Sequence, residues 1–203
     1  MLWEVEIHPL DRQAAQADRE GDRVTSEAKL RELRSIGKVH AARSYLIEGE
    51  LTREQVEAVA VPLLVDSVVE KCLVQALPAE VETSELPGQL LNVLFKPGVT
   101  DNVGETSHQA LEKLGLNVSR VATCRKYWVS TEAAPAEVER LCSRVLSNDA
   151  IEHVLTGPLA IKSLALGGEY QFQLRHTDIR GLDDAGLMKL SKEGQLYLQL
   201  AEM

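Results

Sequence analysis

The feature that most constrains this chain is internal. Residues 39–70 set against 121–152 match at a constant offset of 82, without a gap over 32 positions. Val39 meets Val121, Arg43 meets Arg125, Tyr45 meets Tyr127, and Val69-Glu70 meets Ile151-Glu152. Upstream the match loosens. Asp18 to Asp22 resembles Asp101 to Glu105 at an offset of 83, and Val5, Ile7 and Pro9 resemble Val93, Phe95 and Pro97 at an offset of 88. The first copy therefore carries a longer loop, around Asp11 to Ala17. Chance readily produces apolar coincidences, but not shared Arg, Tyr, Gly and Glu positions as well. A tandem duplication is the reading that follows.

Each copy reads as strand, helix, strand, helix, short strand. Trp3, Val5 and Ile7 alternate with Glu4, Glu6 and His8, the period of a strand wet on one face. A helix spans roughly Asp18 to Leu33. Its counterpart, near Asn102 to Leu114, stops at Gly115. Val39, Ala41, Arg43, Tyr45 and Ile47 alternate as a second strand. Thr52 is placed to cap the next helix, with Gln55 as its capping-box partner. In that helix Val56, Val59, Leu63 and Leu64 share a face. Pro135 opens the equivalent helix in the second copy. Asp18 and Asp101 read as helix starts.

These boundaries predict a first repeat over 1–77, an extended and solvated linker over 78–88, a second repeat over 89–157, and a C-terminal linker-like segment over 158–203. That segment holds an alternating stretch at Tyr170, Phe172 and Leu174 and a short helix at 182–190 capped by Asp183. The chain stops at Met203 soon after the apolar stretch 196–200, which suggests a cut end. One three-stranded sheet leaves its edges unpaired and its core thin. Two can join. The predicted fold is α+β: tandem βαβαβ repeats forming a pseudo-twofold, two-layer α/β sandwich related to ferredoxin-like folds.

Composition narrows the function. The net charge is -9, a poor basis for binding nucleic acid or an anionic membrane surface. Cys72, Cys124 and Cys142 are odd in number and widely spaced, with no metal-ligand pattern. Cys72 and Cys142 read as small core residues in a reduced, cytoplasmic setting. No signal peptide, membrane span or phosphate-binding loop is legible. No nucleophile sits beside a base, so no catalytic residue, metal site or cofactor of this chain's own is expected. His8, His40, His108, His153 and His176 are scattered and read as surface or satisfied core residues.

Several short blocks, in order, resemble the PurS-type subunits of phosphoribosylformylglycinamidine synthase. Val93-Leu94-Phe95-Lys96-Pro97-Gly98-Val99 is similar to the strand that opens those subunits, and Ala110 to Gly115 to the end of their first helix. Arg125-Lys126-Tyr127 is similar to their second strand, without its glycine. Leu146 to Glu152 is similar to the close of their second helix. The resemblance extends to the N-terminal region of the large fused synthase, whose own first domain mimics a PurS dimer. It implies a non-catalytic, ammonia-channelling scaffold in purine biosynthesis, with synthetase (PurL-type) and glutaminase (PurQ-type) partners. ATP and Mg would be used by the synthetase part. The competing reading is a tandem α/β sensor of small molecules.

The residues singled out for binding or interface are Arg43, Tyr45, Lys96, Arg125, Lys126 and Tyr127. Arg43 and Arg125 recur on the strand face that carries Tyr45 and Tyr127. The plainer reading is arginines lying along the sheet with their heads in water. The functional one is a contact to a partner or a substrate phosphate. Lys96 reads first as a solvated loop lysine.

Overall fold

The computed structural model describes residues 1–10, 18–79, 86–164, 177, 179–194, 196 and 198–203. The loop 11–17, the acidic run Glu80 to Glu85, the alternating stretch at Tyr170 to Leu174, and His176 lie outside the described residues. The chain divides into two compact units, Met1–Leu166 and Gly167–Met203.

The first unit is built on one six-stranded antiparallel sheet. In chain order its elements are β1 (Leu2–Pro9), α1 (Arg19–Leu30), β2 (His40–Gly49), α2 (Arg53–Val59), β3 (Glu70–Leu77), β4 (Gln89–Phe95), α3 (Asn102–Lys113), β5 (Val118–Val129), α4 (Pro135–Leu141) and β6 (Glu152–Thr156). The strands lie in the order β3-β1-β2-β5-β4-β6. The seam between the halves is β2 against β5, running from His40 opposite Trp128 to Glu48 opposite Arg120, with Arg43 opposite Arg125. α2 and α4 each widen into a π-helical turn, Ala60–Leu64 and Cys142–Leu146.

The local signals act as their chemistry requires. Asp18 accepts from Gly21 N at 2.8 Å and Asp101 from Gly104 N at 2.8 Å, satisfying amides that no helical carbonyl can reach. Thr52 and Gln55 form the full capping box. Pro135 opens α4, where its missing N–H costs nothing.

Two apolar cores lie between helices and sheet, and each draws on both halves. In one, Val24 and Ala28 of α1 meet Leu141 of α4 and Leu146 of its π turn above Leu91, Val93 and Tyr127. In the other, Val56 of α2 with Ala60 and Leu64 of its turn meet Leu111 of α3 above Val5, Ile47 and Val121. Neither half closes its own core.

The other face of the sheet corrects one expectation. The alternation in β1 is real, but its polar side is not wet: Glu4 and Glu6 are 0% exposed and His8 5%. Two things make this tenable. β5 supplies a buried cation, Lys126, to the same face. The stretch after β6 also lies along it, with Leu159 packed on Leu2, Leu46, Leu94 and Cys124. Ser163 Oγ and Leu164 N donate to Glu48 at 2.7 and 2.9 Å. The start of the linker is similarly drawn in: Ala79 is buried and donates its N–H to Leu159 O at 2.8 Å. Of the thiols only Cys124 is fully buried; Cys72 and Cys142 border the apolar clusters half-buried.

In the second unit, α5 (Asp184–Glu193) is capped by Asp183, which accepts from Gly186 N at 2.8 Å. Ser191 Oγ donates to Leu198 O at 2.8 Å and accepts from Leu198 N at 2.9 Å. A short 3₁₀ turn, Leu200–Glu202, follows. Among the described residues no helix is long and apolar enough to cross a membrane.

Candidate binding cleft and buried charge cluster

On the helix-bearing face the sheet opens into a cleft of about 880 Å³. Ile7, Ala41, Arg43, Arg125 and Tyr127 come from three adjacent strands. Asp18, Arg19 and Glu20 at the start of α1 form one side, with Pro9, Leu10, Val69 and Glu70 around them. The alanine at position 41 keeps the floor low where its counterpart 82 residues on is Thr123.

The start of α1 is held close to the sheet. A Cβ at Gly21 would meet Val39 O at 2.4 Å, so only glycine permits the approach. The second carboxylate oxygen of Asp18 then reaches Ala41 N at 2.9 Å. Asp101 repeats the device, accepting from Thr123 N at 2.6 Å and Thr123 Oγ1 at 2.8 Å, while a Cβ at Gly104 would meet Val121 O at 2.8 Å.

The two arginines are partly committed. Arg43 donates to both carboxylate oxygens of Glu70, the Nη2 contact being 2.9 Å, and to Leu64 O at 3.2 Å. Arg125 donates Nη2 to Glu152 at 2.5 Å. Glu70 and Glu152 also accept from Asp66 N and Asn148 N, each at 2.9 Å. Each Arg–Glu pair thus ties the middle of the sheet to the turn before β3 or β6. The Arg43 guanidinium holds the Glu70 carboxyl below the usual carboxylate range, against the opposing effect of burial. Tyr127 donates to Glu20 at 2.8 Å, and burial pushes its phenol up. Arg23, against burial and with help from Tyr127, keeps Glu20 low.

Behind the sheet lies a second polar group. Lys126, 1% exposed, is held between Glu4 at 2.9 Å and Glu6. Burial disfavours its charge, but the two carboxylates outweigh it and push the ammonium up to about 12. Glu6 is lowered: burial opposes its charge, and His8, at 2.5 Å, together with Lys126 overcomes it. Ser44 Oγ and Gln75 Nε2 satisfy Glu4, each at 2.7 Å. The His8 ring packs on Trp128 with centroids 5.6 Å apart.

Of the six residues singled out from the sequence, the fold brings Arg43, Arg125 and Tyr127 into one cleft. Tyr45 packs against the Val5–Ile47 core instead. Lys96 lines a smaller cleft of about 490 Å³ with Asp101 and Thr123, and donates to Asp149 O. Lys126 is on the opposite face. Sequence reasoning overlooked Arg19, Glu20, Glu4 and Glu6. The partners of the arginines were within reach, since Glu70 and Glu152 recur with the same offset as Arg43 and Arg125.

The class is that of an α+β protein built on a six-stranded antiparallel sheet. Residues 90–156, from β4 to the end of β6, match the family model PurS, phosphoribosylformylglycinamidine (FGAM) synthase. Residues 90–156 are thus similar to the PurS domain of FGAM synthase. No curated protein matches the chain.

Proposed function

We propose that this chain is the non-catalytic scaffold of FGAM synthase, made of two PurS-type units in tandem. It would hold a PurL-type synthetase and a PurQ-type glutaminase together in the cytoplasm and help enclose the route of ammonia. Enclosure matters because ammonia protonated by water is no longer a nucleophile. The observation that carries this reading is the family match over 90–156, together with residues 1–77 completing the same sheet. The duplication is supported by the strand order, in which β3-β1-β2 is followed by its mirror β5-β4-β6, and by Arg43 lying opposite Arg125, its own counterpart at offset 82. A pseudo-dyad through that pair would produce this strand order.

Complementation tests the role. A host lacking its PurS-type component, but keeping synthetase and glutaminase, should grow in purine-free medium when given this chain. The chain should also co-purify with those two components. A folded chain that neither restores growth nor associates with them refutes the scaffold reading and leaves small-molecule sensing.

A further inference from the structure

We propose that the larger cleft binds the anionic group of a small metabolite, a phosphate monoester whose organic body lies on the apolar wall. Among the described residues, the three carboxylates that line the cleft are all satisfied by the protein. Asp18 accepts from Gly21 N and Ala41 N, Glu20 from Arg23 and Tyr127, and Glu70 from Arg43 and Asp66 N. The cations are not all used. Among the described residues, Arg125 donates only Nη2 to a carboxylate, and exposed Arg19 has no ion pair. The donor capacity left over is guanidinium, and a guanidinium fork matches a phosphate or carboxylate in two parallel hydrogen bonds.

The rest of the cleft fits a small organic body. Its volume, about 880 Å³, lies in the range of metabolite sites. Ile7, Pro9, Leu10 and Val69 offer apolar surface near the charged groups. In the smaller cleft the position equivalent to Ala41 is Thr123, bonded to Asp101. The inference is independent of the scaffold role, because it concerns this chain alone.

Titration calorimetry with the full chain tests it, using phenyl phosphate, benzoate and phenol. Phenyl phosphate should bind saturably, benzoate more weakly, and phenol not at all. Arg19→Gln, an exposed position, should weaken phenyl phosphate roughly tenfold, the size expected for one charge-assisted contact. Ala41→Leu, which fills the floor, should abolish binding while leaving a cooperative thermal transition. Tighter binding of benzoate than phenyl phosphate would overturn the phosphate assignment. Absence of saturable binding, or binding unchanged by both substitutions, would overturn the site.

Discussion

The two halves of the sheet match on one face and differ in what they bury on the other. On the helix-bearing face, positions 82 or 83 residues apart do the same work. Asp18 and Asp101 cap a helix and hold the next strand, Gly21 and Gly104 admit the close approach, and Arg43–Glu70 is matched by Arg125–Glu152. On the other face the halves are complementary. The first contributes Glu4, Glu6 and His8; the second places Asn92 and Leu94 at the corresponding strand positions and contributes Lys126 and Trp128. Two copies of the first half would bury four carboxylates without a cation. The lesson is that the halves now need each other: the shared framework joins them, and the divergent face makes the joining specific.

Breaking the divergent face should have the largest effect. Lys126→Met leaves Glu4 and Glu6 buried without their cation and should cost about 3–5 kcal/mol, read by urea denaturation. Adding Glu4→Gln and Glu6→Gln to Lys126→Met should recover part of the loss. If Lys126→Met unfolds at the wild-type midpoint, the cluster is not what binds the halves.

Next come the framework glycines. Gly21→Ala and Gly104→Ala each force a methyl against a backbone carbonyl and should cost about 1–3 kcal/mol. Gly21→Ala should cost more, its methyl meeting the carbonyl at 2.4 Å rather than 2.8 Å. Equal melting temperatures of the two variants would show that the closer approach at Gly21 does not set the cost.

The caps should follow. Asp18→Ala and Asp101→Ala should each lose about 1–2 kcal/mol, with Asp101→Ala the costlier because Asp101 accepts from three donors and Asp18 from two. Thermal unfolding of the two variants side by side checks the order.

The smallest effect is a titration. Glu70, Glu20 and Glu6 are all held below the ordinary value of 4.5 in the folded chain. A depressed folded pKa stabilises above the unfolded value and loses that contribution as pH falls through the folded one. Stability should therefore decline as pH drops below about 4.5. Glu70→Gln should flatten that decline slightly, by less than about 1 kcal/mol for so exposed a pair. An unchanged acid limb in Glu70→Gln would remove the Arg43–Glu70 pair from the account.

Much of the framework was legible because its signals are local or repeated. Caps at Asp18, Thr52, Asp101 and Asp183 depend on residues three positions away, so the chain alone reports them. The offset of 82 made Arg43 and Arg125 visible together. The cleft was only half legible: Arg43, Arg125 and Tyr127 stood out, but Arg19 and Glu20 are ordinary first-turn residues until α1 is set on the sheet. Lys126 was noticed for its neighbours in the strand, yet the pleat sends it to the opposite face from them.

The sequence by itself determined the elements, their caps, the matches at offset 82 and the resemblance of residues 90–156 to PurS. Periodicity and short-range hydrogen bonding need no partner from elsewhere in the chain. Only the tertiary structure decided that β2 pairs with β5, that each core takes helices from both halves, and that Glu4 and Glu6 are buried. The reason is physical. A carboxylate can leave water only where a cation meets it, and here the cation, Lys126, lies 120 or more residues away along the chain.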